Sequence, residues 1–105
     1  MEQAKIKRKK KLLEGNVVVI TGSTGTIGYA TYKMFKSYGA EVVLLDYSLK
    51  RLKDLQSKIK DLCIHCDVRN KKSVKKAFNQ ICEKYGGVDI LISNAGTAKI
   101  GRAHV

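Results

Sequence analysis

Three glycines spaced three residues apart follow an apolar run near the start of the chain. The stretch Val17–Gly28 reads VVVITGSTGTIG. β-Branched residues that are apolar on both faces are typical of a parallel strand covered by helices, so we expect Val17–Ile20 to be a central strand. Gly22 allows a sharp turn, Gly25 leaves room for a phosphate, and Gly28 lets the next helix approach the strand. This turn therefore predicts an anion site at a helix amino end.

The residues after the turn extend this pattern to that of a dinucleotide site. Glycine triplets also occur in ordinary turns, but this one precedes an amphipathic helical pattern made of Ile27, Ala30, Thr31, Met34, Phe35 and Tyr38. A second apolar run, Val42–Leu45, ends in Asp46, where an acid accepts hydrogen bonds from an adenosine ribose. The alternative for Asp46 is an acid that caps a turn. We predict that the cofactor site includes Gly22, Ser23, Thr24, Gly25, Thr26, Ile27, Gly28, Asp46 and Tyr47.

Size and charge limit the classes of protein that the chain can belong to. With 105 residues, of which 44% are hydrophobic, it is one globular domain or part of one. No apolar run approaches a membrane span and no signal segment opens the chain, so we expect a cytoplasmic protein without membrane contact. The formal charge of +12 is compatible with nucleic acid, but outside Lys5–Lys11 the basic residues are scattered without interleaved aromatics. We interpret them as solvated helix faces, with a basic nucleic-acid-binding domain as the alternative.

The cysteine spacing raises a metal or redox interpretation, because Cys63 and Cys66 form the string CIHC. Residues three apart in a strand point to opposite faces, so these two thiols are poorly placed to share an ion. We predict no metal site and free thiols in a reducing compartment.

Strand and helix patterns alternate along the chain, which predicts an α/β fold with a parallel sheet and ligands at the carboxyl ends of the strands. The expected strands are Val17–Ile20, Glu41–Asp46, Leu62–Val68 and Val88–Ser93. The first expected helix is Thr26–Tyr38, ended by Gly39. The second follows Ser48 and buries Leu49, Leu52, Leu55 and Ile59. The third follows Asn70, ends at Gly86 and Gly87, and buries Val74, Ala77, Phe78, Ile81 and Tyr85.

These motifs together resemble those of the short-chain dehydrogenase/reductase family over roughly residues 15–97. The strongest element is DILISNAG at Asp89–Gly96, with Ser93 where the family more often has Asn. The resemblance implies a Rossmann-type doubly wound parallel sheet, truncated after the fourth strand. It also implies that Asp67 and Val68 contact adenine, while Asn94, Ala95 and Gly96 line the ribose and nicotinamide side.

One departure concerns the glycines, because Thr26 stands where compact members of the family usually have their second glycine and Gly25 precedes it. That spacing is closer to the glycine spacing of extended, epimerase-like members. The Asp67-Val68 pair and the NAG motif instead favour assignment to the compact members. We expect NAD rather than NADP, because Tyr47 follows Asp46 and no basic neighbour in sequence receives a 2′-phosphate.

The resemblance also implies hydride transfer to or from a small alcohol or carbonyl substrate, and a homo-oligomer, in a complete protein. The family's catalytic Ser, Tyr and Lys lie after strand four, so we assign no catalytic residue here and expect no turnover from this chain. Tyr29 and Lys33 have the Tyr-to-Lys spacing by chance. The alternative is a non-catalytic dinucleotide-binding or sensor module.

Both ends of the chain are expected to lie outside the domain at 15–99. Residues 1–14 are interpreted as a basic arm or linker, and EQAKIKRKKKLLEG is similar to the linker between aldolase and dehydrogenase domains in bifunctional sugar-metabolising proteins. That likeness implies a polyol or hydroxy-aldehyde substrate. Residues 100–105, IGRAHV, resemble a translated sequencing adapter, which predicts a non-native tail.

Overall fold

The computed structural model describes residues 11–94, which form a four-stranded parallel sheet with helices on both faces. The strands are β1 (Val17–Thr21), β2 (Glu41–Asp46), β3 (Cys63–His65) and β4 (Ile90–Ser93), and the helices are α1 (Thr26–Ser37), α2 (Leu49–Gln56) and α3 (Lys71–Tyr85). The strand order is β3-β2-β1-β4, so β1 is internal, as its sequence predicts. This order and the parallel pairing are those of a Rossmann-type sheet.

Residues that alternate along β1 and β2 pack into two separate cores. On one face Val18 and Leu44 pack with Tyr32 of α1 and Leu55 of α2. On the other face the core centres on α3, through Ala77 and Ile81. Since each face of the sheet is covered, both strands are apolar throughout, which explains their uninterrupted runs.

Helix α1 buries a different face from the one that its apolar pattern predicts. Ile27 and Met34 are exposed, at 71% and 46% of their surface. Gly28 and Tyr32 are buried instead, with Phe35 half-buried beside them. The predicted stripe is therefore wrong, because the close approach of Gly28 to the preceding turn decides which side of the helix meets the sheet.

Two strands are shorter than predicted because polar groups end them. Strand β3 stops at His65 rather than Val68, since Asp67 turns the chain by accepting hydrogen bonds from Arg69 N–H and, through its carbonyl, from Asn70 N–H. Strand β4 begins at Ile90 rather than Val88, since Asp89 contacts Val17 through its carboxylate as well as its backbone.

The helix boundaries follow the predicted caps. The Ser48 hydroxyl accepts a hydrogen bond from Arg51 N–H, and the Asn70 side chain accepts one from Ser73 N–H. Gly86 ends α3 in the left-handed region, with φ of 87°. Leu49 is half exposed, and Ile59, the last predicted inward residue, lies beyond the end of α2.

The last part of the predicted arm that the structure describes packs against the domain. Leu13 contacts the core between the sheet and α1, and its N–H donates to the Tyr38 carbonyl at 2.9 Å. Packed structure therefore begins before Gly15. The rest of the predicted arm, residues 1–10, and the predicted tail lie outside the described residues.

Candidate functional site

The predicted glycine turn lies between β1 and α1, and two of its glycines have steric reasons to be there. Gly22 has φ of 67°, a conformation that side chains disfavour. A Cβ on Gly28 would collide with the Gly22 carbonyl oxygen and lie 2.8 Å from Ser23 Cα. The turn therefore folds back onto the first turn of α1, and that approach depends on Gly28.

The amino end of α1 has the features of an anion site. Gly25 is its N-cap, no side chain within residues 11–94 caps it, and its first turn contains no acid. The N–H groups of Thr26, Ile27 and Gly28 have no acceptor one turn earlier in the helix. They border an open cavity of about 320 Å³, which we call the cradle. It is lined by Gly22, Gly25, Thr26, Ile27, Gly28 and Asn94.

Gly25 lines this cavity, and the only atom of the described residues that a Cβ there would meet is the Gly22 oxygen, at 3.8 Å. Thr26, in place of the family's usual second glycine, has no positive φ, so the backbone does not require glycine at that position. The donor set, the helix dipole and the open cradle fit the pyrophosphate of a dinucleotide.

Asp46, at the end of β2, is joined to the glycine turn. Its Oδ2 accepts hydrogen bonds from the Thr24 N–H at 2.9 Å and the Thr24 hydroxyl at 2.8 Å. Its Oδ1 accepts one from Ser48 N–H at 2.9 Å. A carboxylate oxygen accepts about two hydrogen bonds, so Oδ1 keeps capacity for a ribose hydroxyl. The structure thus places Asp46 at the end of β2, directly beside the glycine turn.

Ser23 has an internal role within the turn. Its side chain is fully buried, and its N–H and hydroxyl both donate to the Leu45 carbonyl, at 3.3 and 3.2 Å. It therefore fixes the turn to β2 and does not face the cavity.

The predicted adenine side is built from the loops that follow β2 and β3. The Arg69 side chain contacts both loops. Its guanidinium lies 5.2 Å from the Tyr47 ring centroid, and its Nε donates a hydrogen bond to Asp67 Oδ1 at 3.1 Å. These side-chain and backbone hydrogen bonds from Arg69 lower the pKa of Asp67. His65 Nε2 lies 2.8 Å from the Tyr47 carbonyl oxygen. Val68 is 44% exposed, which leaves an apolar surface beside Asp67 and Arg69.

Asn94 is held at the carboxyl end of β4, next to the cradle. Its N–H donates to the carbonyl and hydroxyl of Thr21, at 3.2 and 3.1 Å. Its side-chain Nδ2 is buried and has no hydrogen-bond partner among residues 11–94. The predicted neighbours Ala95 and Gly96 lie outside the described residues.

A second cavity contains basic residues that the sequence interpretation missed. It measures about 380 Å³, and its lining includes Thr24, Thr26, Arg51, Asp54 and Lys58. Arg51 is the third residue of α2, and it lines this cavity together with Thr24, the residue that bonds Asp46. The expectation that Asp46 has no basic residue beside it concerned its neighbours in sequence, and the cofactor preference drawn from it stays a prediction. The sequence feature that could have identified Arg51 is the predicted N-cap Ser48, because it fixes where α2 begins and so which residues form its first turn.

The remaining sequence candidates have structural roles in the described residues. Lys33 Nζ lies 5.4 Å from the Tyr29 ring centroid, and Tyr29 stacks on Tyr32. Cys63 and Cys66 pack on opposite faces of the sheet, as predicted. No cluster of three or more metal-binding side chains occurs within residues 11–94.

Known proteins are similar to this chain in sequence and in fold. A family described as short chain dehydrogenase matches residues 16–104. The chain belongs to the short-chain dehydrogenase/reductase family. Its members use NAD or NADP, the class of cofactor that the cradle fits.

Individual relatives are similar over most of this chain. Short chain aldehyde dehydrogenase 1 of Euphorbia lathyris is 40% identical, over 84% of this chain and 32% of that protein. Short-chain dehydrogenase reductase 3b of Arabidopsis thaliana is 38% identical, over 82% and 35%. A solved short chain dehydrogenase from Mycobacterium smegmatis superposes with a TM-score of 0.74 at 35% identity, over 82% of this chain and 38% of that one. The chain thus spans about a third of the length of the curated relatives it matches.

No helix in the described part of the chain has the length and apolar character to cross a membrane.

Proposed function

We propose that this chain forms the ADP-binding half of an NAD site. The amino end of α1 binds the pyrophosphate, Asp46 accepts a hydrogen bond from the adenosine ribose, and the Asp67-Val68 loop borders the adenine. Asn94, with Ala95 and Gly96 after it, borders the nicotinamide side. The observation that carries this proposal is the pair of hydrogen bonds from Thr24 to Asp46, which joins the phosphate cradle and the ribose acceptor into one unit.

NAD is the preferred cofactor in this proposal because of the charge on Asp46. Its side chain is only 9% exposed and two of its acceptor positions are taken by Thr24, so the carboxylate stays fixed at the ribose position. A 2′-phosphate there would meet a negative charge at short range, whereas a free 2′-hydroxyl donates a hydrogen bond to it.

In a protein with the family's Ser, Tyr and Lys, this half-site serves oxidation or reduction of a small alcohol or carbonyl compound. The nicotinamide of the bound cofactor supplies or accepts the hydride. The residues of this chain bind and orient the cofactor, and none of the described ones is assigned to proton transfer. A sugar-derived substrate, a cytoplasmic location and a homo-oligomer stay predictions.

The test is a titration of the full chain with NADH, followed by nicotinamide fluorescence. Gly25→Asp is the informative variant, since aspartate is a favoured N-cap and the backbone angles at Gly25, φ of −79° and ψ of 170°, suit any residue. It keeps α1 intact but places a negative charge in the cradle. Gly25→Asn is the matched neutral control.

We expect wild type to bind NADH, Gly25→Asn to bind it more weakly because the side chain occupies the cradle, and Gly25→Asp to lose binding. A folded wild-type chain that binds no NADH at millimolar concentrations, or equal binding by the two variants, contradicts a pyrophosphate site here.

A further inference from the structure

Strand β3 lies at the edge of the sheet opposite β4, and no described strand pairs with its outer side. Strand β2 bonds to the Leu62 carbonyl and to the Cys66 N–H, each at 2.9 Å. Successive residues of a strand direct their N–H and carbonyl groups alternately to its two sides, so those of Cys63 and His65 face away from β2. The outer side of β3 therefore offers main-chain donors and acceptors to a further strand.

A cleft lies beside this edge on each face of the sheet. The cleft on the α2 face measures about 140 Å³ and is lined by Leu49, Leu52, Lys53, Gln56, Cys63 and His65. The cleft on the α3 face measures about 300 Å³ and is lined by Ile64, His65, Ser73, Lys76, Ala77 and Gln80. His65 belongs to both linings, so the two clefts meet at the strand edge.

Each cleft combines buried apolar residues with one exposed lysine. Leu52 in the smaller cleft and Ile64 in the larger one are buried, whereas Lys53 and Lys76 are exposed. No acid among the described residues lines either cleft, and neither lysine has an ion pair among them. Such a cleft suits a side chain with an apolar stem and a carboxylate head, because the stem covers the apolar residues while the head pairs with the lysine.

We propose that the β3 edge binds an extended acidic peptide segment of a partner protein by strand addition. The main chain of the peptide bonds to Cys63 and His65. Because successive side chains of a strand point to opposite faces, two consecutive glutamates direct one carboxylate toward Lys53 and the other toward Lys76. The inference does not rest on the proposed function, since none of these residues is assigned to bind the cofactor.

The charge of the chain favours this occupant over others. A formal net charge of +12 attracts an acidic partner. A second copy of the chain pairing at β3 would instead bring the same lysines together, which opposes association. The basic run Lys5–Lys11 of the chain itself has the wrong sign for these clefts.

The experiment titrates the full chain into the fluorescein-labelled peptide Val-Thr-Glu-Glu-Val-Thr and follows fluorescence anisotropy. An N-methylated peptide of the same sequence keeps the side chains but cannot donate main-chain hydrogen bonds. Lys53→Ala and Lys76→Ala each remove the charge of one cleft. The matched controls are Lys50→Ala and Lys75→Ala, because these exposed lysines lie on the same two helices and line neither cleft.

We expect saturable binding of the first peptide and none of the N-methylated one. Lys53→Ala and Lys76→Ala should each weaken binding about threefold, the loss of one exposed charge pair, and the two controls should leave it unchanged. Hydrogen exchange of the His65 amide should slow when the peptide binds, because that N–H then donates to the peptide.

The inference is overturned if folded wild type does not bind the peptide, or if the control variants weaken binding as much as the cleft variants do. Equal binding of the N-methylated peptide overturns it as well, since it indicates a surface for polyanions in general, nucleic acid included. Protection of the His65 amide before any peptide is added would identify another copy of the chain as the occupant and likewise overturn the proposal.

Discussion

The carboxylate of Asp46 holds the glycine turn through Thr24, accepting hydrogen bonds from its N–H at 2.9 Å and its hydroxyl at 2.8 Å. The same carboxylate accepts a hydrogen bond from Ser48 N–H, immediately before α2. One acid therefore joins the end of β2, the glycine turn and the start of α2. The residue that we assign to cofactor choice is also part of the framework of the site.

Replacing Asp46 should consequently affect stability and cofactor choice together. Asp46→Ala leaves the half-buried Thr24 donors without their acceptor, and we expect the free energy of unfolding to fall by about 1–2 kcal/mol. Wild type should bind NAD more tightly than NADP, and the variant should lose that difference. Chemical denaturation and titrations with both cofactors measure the two effects, with Glu83→Ala, an exposed acid on α3, as the control. Equal wild-type affinities for NAD and NADP would show that Asp46 does not set the preference.

Two glycines of the turn should respond differently to the same substitution. In Gly28→Ala the new Cβ meets backbone atoms of Gly22 and Ser23, so the turn must shift. We expect a loss of about 1–3 kcal/mol in unfolding free energy, together with loss of NADH binding. In Gly25→Ala the nearest atom to the Cβ is 3.8 Å away, so stability should change by less than about 1 kcal/mol while the filled cradle weakens NADH binding. Thermal unfolding with NADH titration separates the two, and equal destabilisation would contradict the packing role of Gly28.

The sequence predicts the centre of this fold well because several signals there indicate the same structure. Val17–Ile20 and Val42–Leu45 are apolar at every position and mostly β-branched or flanked by turn residues, which is typical of strands buried on both faces. The glycine turn and Asp46 lie at the carboxyl ends of these two strands, and parallel pairing brings those ends to one edge of the sheet. The predicted pair of buried strands and the predicted site at their carboxyl ends therefore support each other.

Features that depend on tertiary contacts could not be predicted in the same way. The apolar pattern of α1 selects Ile27 and Met34, but the contact of Gly28 with the turn rotates Tyr32 toward the sheet. Arg51 lies five residues after Asp46 in sequence, and only the position of α2 brings it to the cavity that Thr24 lines. The spacing of residues in the sequence indicates neither relationship, because both depend on how a helix packs against the sheet and the glycine turn.

The stability of the domain should fall at alkaline pH because of Tyr32. Burial, followed by the proximity of Asp61, raises the pKa of Tyr32 to about 12, against an ordinary value of 10.0. The unfolded chain therefore releases this proton at lower pH than the folded one. Its contribution to stability is complete below about pH 10 and is lost as the pH rises toward 12. Burial likewise raises the pKa of Cys63, to about 11, and adds to the same trend.

Urea unfolding at about pH 8 and about pH 11 measures this dependence. We expect Tyr32→Phe to lose less stability between the two conditions than wild type does. Tyr38→Phe, which alters a tyrosine 39% exposed just beyond α1, should behave like wild type. The same alkaline loss in all three proteins would exclude Tyr32 as its source.

The outer side of β4 should make the full chain associate with itself. This strand pairs with β1, and no described strand pairs with its other side. Leu91 points to the α3 face of the sheet and is 54% exposed, whereas Ile90 and Ile92 are half-buried on the α1 face. An unpaired edge with an apolar side chain is a template for pairing with another copy of the chain.

A lysine on this edge should oppose such pairing, because each approaching copy would bring the same charge and would have to desolvate it. We expect Leu91→Lys to lower light scattering of the full chain at equal concentration. Leu12→Lys is the matched control, since Leu12 is 77% exposed but lies before β1, outside the sheet. Equal reduction by the two variants would indicate an effect of net charge alone, and a monodisperse wild-type chain would show that the β4 edge does not drive association.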